Sequence, residues 1–251
     1  MKTTPNQINI KFLGTAANGG VPQIDCRCAN CLSNKIIRKR SSLLIEIDKK
    51  KIIVDCGPDF HSQLIENNLR LQDLSGIVIS HLHWDHSAGL FDLSSGKTLN
   101  VPVFVHSKIR KAILADNTFN FIFRKKWAKF SRIEGVDVKL FEIDHDPNFP
   151  TFAIKISSKT KQILIATDIF QTNKKFLQEA KKSDLIIFDS TFLNESKHWH
   201  MSIKESVQIL SKVNNNVIFT HINHSENVKS ITKFLNKFGF KLAFDGLEVK
   251  I

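Results

Sequence analysis

The chain has 251 residues, a net charge of +12 and 42% apolar residues. That length can bury a sizeable core, the composition suits a soluble globular protein, and no apolar run nears the ~20 residues that span a bilayer. The charge admits an anionic substrate or nucleic acid, although lysines spread along the whole chain read mainly as a solvated surface.

The opening MKTTPNQINIKFLG has no signal-peptide core, so a cytoplasmic location is expected. INIKFLG (8–14) reads as a strand and runs into the glycine-bearing loop GTAANGGVPQIDC. Cys26, Cys28 and Cys31 follow in C-x-C-x2-C spacing. In a reducing compartment such a cluster points to metal before disulfide, and thiolates suit a closed zinc site that wants four ligands. The basic run NKIIRKRSS is compatible with a phosphate-bearing partner. SSLLIEID and KKIIVDCG form two apolar runs around a lysine-rich turn, which predicts a hairpin. Cys56, at the end of the second, reads as a buried, inert thiol.

FHSQLIENNL reads as a helix and LSGIVIS as a short strand. SHLHWDHSAG follows, placing His81, His83, Asp85 and His86 within six residues. Imidazole and carboxylate together suit zinc, manganese, iron or nickel. The H-x-H pair can aim two rings at one ion, and Asp85 and His86 can serve a neighbouring one. Leu82 and Trp84 then pack or line the pocket.

VPVFVH, VDVKLFEI, TFAIKIS, KQILIAT, DLIIFD and NNVIFT are further strand candidates. Residues 115–135 either cover a cleft or pack on the core. Ser202 and Glu205 have capping-box spacing ahead of Ile203, Val207 and Leu210 on one helical face. Ser225 precedes a second helix with Val228, Ile231 and Leu235 on one face and Gly239 as its stop. FKLAFDGLEVKI predicts a closing hairpin with an Asp-Gly turn. His61 and His106 belong to no motif and read as structural or exposed. No linker or composition shift divides the chain, so one domain over 1–251 is expected.

The H-x-H-x-D-H run resembles the signature of the metallo-β-lactamase superfamily. That resemblance implies an α/β fold, an αββα sandwich of two mixed β-sheets flanked by helices, with two metals at one edge. The remaining pattern is matched in order: Asp55 in IIVDCG, His145 in EIDHDP, Asp168 in LIATDI and His221 in VIFTHINH. By resemblance, His81, His83 and His145 hold one ion and Asp85, His86 and His221 the second. Asp168 bridges the two, and Asp55 orients the histidine loop. Two such ions lower the pKa of the water between them and clamp the oxygens of an ester under attack.

For the cysteine site the fourth ligand is Cys56 or His224. His224 is preferred because it lies three residues beyond His221. GTAANGGVPQIDCRCANC resembles two branches of the superfamily, the PhnP-type cyclic phosphodiesterases of phosphonate degradation and the PqqB proteins of pyrroloquinoline quinone biosynthesis. GTAANGGVPQ leans toward PqqB; the intact histidine motif and the chain length lean toward PhnP. The resemblance also implies a histidine in KHWHMS that protonates the leaving oxygen or holds the phosphate. His200 is preferred, beside a helix start, with His198 as fallback.

The expectation is a hydrolase of small cyclic or nucleotide-like phosphodiesters, acting through a hydroxide that bridges two zinc or manganese ions, with one structural zinc. The alternatives are a PqqB-like protein and a tRNA 3′-processing endonuclease. A small phosphodiester is the expected partner, nucleic acid a lesser one and a membrane none; a homodimer stays open.

Overall fold

The computed structural model describes residues 7–33, 35–95 and 100–251. The reading of the N-terminus as lacking a signal peptide falls partly on residues 1–6 and lies outside them. In chain order the first strands are β1 (Ile8–Gly14), β2 (Ser42–Ile47), β3 (Lys50–Val54), β4 (Gly76–Val78), β5 (Val101–Phe104), β6 (Ala128–Phe130) and β7 (Asp137–Ile143). β8 (Thr151–Ser157), β9 (Gln162–Ala166), β10 (Leu185–Asp189), β11 (Val217–Thr220), β12 (Lys241–Leu242) and β13 (Glu248–Lys250) follow. The α-helices are α1 (Ala29–Leu32), α2 (Phe60–Glu66), α3 (Trp84–Ser87), α4 (Ser107–Ala115), α5 (Asn117–Arg124), α6 (Lys174–Ala180), α7 (Ile203–Leu210) and α8 (Val228–Asn236).

Two mixed sheets result, ordered β13-β1-β2-β3-β4-β5-β6 and β12-β11-β10-β9-β8-β7. The inner strands, such as β2, β9, β10 and β11, are apolar on successive residues because both faces are buried. Ile154 and Ile156 of β8, Ile163 and Ile165 of β9, and Leu185 and Ile187 of β10 meet Ile8, Ile10, Phe12, Ile45 and Ile52 between the sheets. The alternate residues Leu164, Ile186 and Phe188 face outward onto Phe176 of α6, Val207 and Leu210 of α7, and Ile231 and Leu235 of α8. On the far side, Leu44 and Ile53 meet Phe60 and Leu64 of α2 and Ile122 of α5. Helix, sheet, sheet and helix thus form the αββα order the resemblance implied.

The β2–β3 hairpin is as expected, its two-residue turn held by Asp48 and Lys49 at φ 46° and 69°. Residues 115–135 resolve into the end of α4, all of α5 and the edge strand β6, packed on the core. Two expectations need correction. FKLAFDGLEVKI is not a hairpin: β12 pairs with β11 in one sheet and β13 with β1 in the other. Alternation marks a strand but cannot say which sheet receives it. The helix that Ser225 precedes, α8, is capped by Asn227, whose side chain accepts from Ser230 N at 3.0 Å. The capping box of α7 is relayed: Ser202 Oγ accepts from Glu205 N, but Glu205 bonds Ser196 Oγ, which accepts from Ser202 N. Among the described residues no helix is long and apolar enough to cross a membrane.

One ion-pair cluster ties α6 to its sheet. Glu179 accepts from Lys155 Nζ of β8 and from Lys175 Nζ, each at 2.8 Å. These lysines pull the Glu179 carboxyl down to about 2 from 4.5. A depressed carboxyl contributes stability that is complete above the unfolded pKa and lost as pH falls through the folded one. Wild type should therefore lose stability relative to Glu179→Gln between pH 4.5 and 2. Parallel acid-melting curves of the two proteins would contradict this.

Candidate metal centre

The parallel strands place the chemistry at their C-terminal ends, where open α/β sheets gather their ligands. Asp55 follows β3, the histidine loop follows β4, Asp168 follows β9, Asp189 ends β10 and His221 follows β11. Asp55 and His221 sit at φ 58° and 64°, and His198 and Trp199 at 50° and 61°. Such backbone is costly for residues with a Cβ, and here it places His198, Trp199 and His221 in one cleft and Asp55 behind the histidine loop.

Each histidine is fixed through its outward nitrogen. His86 Nδ1 donates to Asp55 Oδ2 at 2.8 Å. His81 Nδ1 donates to Ser80 Oγ at 2.9 Å, and Ser80 Oγ in turn donates to the same Asp55 oxygen. Ser80 N donates to Asp55 Oδ1, so one carboxylate seats the whole loop. His83 Nε2 donates to Asp146 Oδ2 at 3.3 Å, and His145 Nδ1 to the Trp199 carbonyl at 2.7 Å. His221 Nδ1 donates to Thr191 Oγ1 at 2.9 Å, which donates to Asp189 Oδ1.

The inner ring nitrogens converge. His83 Nδ1 faces His145 Nε2 at 3.3 Å, and His86 Nε2 faces His221 Nε2 at 3.3 Å. His81 Nε2 is wholly buried with no hydrogen-bond partner. Imidazole nitrogens converging at this distance, beside an orphaned buried acceptor, fit a cation. The ligand-capable atoms of His81, His83, His145 and Asp168 lie within 4.8 Å of one another, and so do those of Asp85, His86 and His221. Asp168 lies between the sets, 3.7 Å from His145 through Oδ1 and 3.1 Å from His86 through Oδ2. Burial opposes charge on Asp168, yet the His221 and His86 rings hold its carboxyl well below the usual range. Burial, then the neighbouring His86, keeps the His81 imidazole neutral, the form a metal needs.

His200 is buried beside this group, whereas His198 is exposed on the rim. His200 Nδ1 donates to Asp189 Oδ2 at 2.5 Å, and Nε2 lies 3.9 Å from Asp168. Burial alone would lower the His200 pKa; Asp189 outweighs it and raises it to about 9. Sequence reasoning missed Asp189, Thr191, Ser80 and Asp146. Asp189 carried one usable signal, a carboxylate at the end of an apolar strand, the same setting that marked Asp55 and Asp168.

The cysteine cluster is separate. His224 Nδ1 lies 3.3, 3.6 and 3.5 Å from the Sγ atoms of Cys26, Cys28 and Cys31. A tetrahedral zinc with ordinary Zn–S and Zn–N bonds needs S–N edges of about 3.6 Å, so the four donors fit. A backbone N–H near Cys31 and the His224 ring lower the Cys28 thiol to about 6. Cys56 is fully buried among Phe60, Leu64 and Leu90 and does not join the cluster.

A family model for the beta-lactamase superfamily domain matches residues 50–222. Coenzyme PQQ synthesis protein B of Rhizobium meliloti is 21% identical, over 98% of this chain and 99% of its own length. An octanoyltransferase of Porphyromonas gingivalis is 23% identical over 96% of this chain, which spans 51% of that protein. Among solved structures, a diphosphatase from the PhnP family superposes with TM-score 0.83 at 23% identity, covering 98% of this chain and 97% of that one. Zinc-bound PqqB from Methylobacterium extorquens gives 0.82 at 19% identity, covering 96% and 99%. The structural likenesses speak for the fold, while the matched span contains Asp55, the histidine loop, His145, Asp168 and His221. The chain therefore belongs to the beta-lactamase superfamily, with the metallo-β-lactamase hydrolase fold.

Proposed function

We propose that this chain is a metal-dependent phosphodiesterase acting on small cyclic or nucleotide-like phosphodiesters. The observation that carries the reading is the meeting of two ligand sets at Asp168, with a buried, Asp189-bound His200 opening on the same cleft. His81, His83 and His145 would hold one divalent ion, zinc or manganese, Asp85, His86 and His221 the second, and Asp168 both. When bound, such ions supply Lewis acidity and activate water at neutral pH.

The chain's own residues do the rest. Asp55, Ser80, Asp146, Thr191 and the Trp199 carbonyl lock the rings, so little reorganisation is left for the reaction. His200 holds its second proton on Nε2, facing the cleft, where it can pass to a departing alkoxide. Asp189 keeps that proton in place and fixes the ring. Cys26, Cys28, Cys31 and His224 would hold a structural zinc that fastens the cleft wall.

Protein stripped with chelator and reloaded with Mn²⁺ or Zn²⁺ should hydrolyse bis(p-nitrophenyl) phosphate and at least one of ribosyl cyclic phosphate, 2′,3′-cyclic nucleotides or a tRNA precursor. Inertness toward the whole panel would overturn the reading. His200→Ala should lose about 10²–10⁴-fold on alkoxide leaving groups and far less on nitrophenolate, which leaves without a proton. A uniform loss would reassign His200 to binding. A second reading, participation in cofactor biosynthesis, is favoured by the end-to-end match to coenzyme PQQ synthesis protein B. It predicts metal uptake without hydrolysis of any panel member.

A further inference from the structure

The cleft beside the ligand sets has a volume of about 380 Å³, within the range of small-molecule sites. Its lining includes Trp84 and Trp199, two of the chain's three tryptophans. Each indole stands between groups of the site. Trp84 separates His83 from Asp85, and Trp199 separates the rim residue His198 from His200. Their neighbours Asp85 and His200 are buried, yet Trp84 is 46% exposed and Trp199 45%. Single exposed aromatics are ordinary on a surface; two large ones lining one cleft beside the ligand sets are not.

Both indoles are braced from outside the cleft. The Arg40 guanidinium lies 5.3 Å from the Trp84 ring centre. It is itself tied to Asp59 at 3.2 Å and, through Nε, to the Asn18 carbonyl at 3.0 Å. A cation stacked on one face of an indole leaves the opposite face for a second π system. Trp199 meets Phe170 edge to face, with ring centres 5.7 Å apart and planes at 78°. Its backbone is pinned by reciprocal 3.0 Å hydrogen bonds between Lys197 and His200. Aromatic rings fixed in this way are stacking surfaces with little side-chain entropy left to lose.

From this geometry we infer that the substrate carries a planar aromatic base, stacked on Trp84 or Trp199 while its phosphate faces the metal ligands. The substrate class is then a nucleotide ester in preference to a bare sugar phosphate. This rests on the phosphodiesterase reading but concerns recognition, which can be measured without turnover. Adenosine 5′-monophosphate and ribose 5-phosphate differ by the base, so their affinities for the zinc-loaded protein report stacking directly. Calorimetry should show the nucleotide binding about 5- to 150-fold tighter, the span expected for one base on an aromatic platform. Nucleotide binding should also quench tryptophan fluorescence.

The preference ratio should collapse toward one in Trp84→Leu, Trp199→Leu or the double variant. The hydrogen bond from His145 to the Trp199 carbonyl is a backbone contact that survives the change. Equal affinity of the two ligands, absence of nucleotide binding, or a preference that persists in the double variant would overturn the inference. Tryptophan-dependent nucleotide binding in a protein that hydrolyses no phosphodiester would retire the phosphodiesterase reading and keep the recognition. Hydrolysis with no base preference would do the reverse.

Discussion

Asp168→Ala should abolish phosphodiester hydrolysis and strip the paired site of at least one ion. Asp168 and Asp85 are the two carboxylates in the ligand sets, so either would supply half of their negative charge toward two dications. Asp168 reaches both sets, 3.7 Å from His145 through Oδ1 and 3.1 Å from His86 through Oδ2. Losing it leaves Asp85, near His86 and His221, as the one carboxylate of the two ligand sets. The loss of activity should exceed the ~100-fold that changes to residues behind a metal's direct ligands cost. Asp168→Asn keeps the shape without the charge and should fall nearly as far. The measurement is metal content after desalting, together with the rate on bis(p-nitrophenyl) phosphate. Wild-type rate and metal content in the alanine variant would sink the two-ion assignment.

Cys28→Ser should lose zinc from the cysteine site while the paired site still loads. The four donors hold the 15–31 loop against the segment after β11. Beyond the cluster itself, Asn30 Nδ2 donates to the carbonyls of His224 and Glu226 at 2.7 and 2.8 Å, and Gln23 N donates to Cys31 Sγ. Gln23 lines the cleft and His221 is a ligand candidate, so the cluster joins one wall of the site to one of its donors. Structural zinc is worth a large share of folding free energy where it organises a loop. A loss of about 3 kcal/mol would lower Tm by roughly 6–12 °C for a chain of this size. Unchanged zinc content and Tm would show that the thiols hold no metal.

The residues that carry chemistry were legible to different depths. His81, His83, Asp85 and His86 declare themselves because four donors crowd six positions. Cys26, Cys28 and Cys31 do so by spacing. His145, Asp168, His221 and His224 are ordinary residues taken singly, and only a superfamily pattern picks them out of the sequence. Asp189 and Thr191 were not found at all. Their role is to hold His200 and His221 from behind, and a hydrogen bond across 11 or 30 residues leaves no local periodicity to read.

The sequence by itself determined most strands and the helices α2, α7 and α8, because burial on both faces writes continuous apolar runs and an exposed helix face writes a 3.6-residue repeat. It also determined the donor types at the site, since imidazole, carboxylate and thiolate have few other reasons to cluster. Tertiary structure alone decided which sheet receives the last strands, which of His198 and His200 is buried against Asp189, that His224 and not Cys56 faces the three thiols, and that two tryptophans share one cleft. These depend on long-range pairing and on left-handed backbone at Asp55, His198, Trp199 and His221. Local sequence preferences do not encode either, because the packing of the whole fold supplies the free energy that holds them.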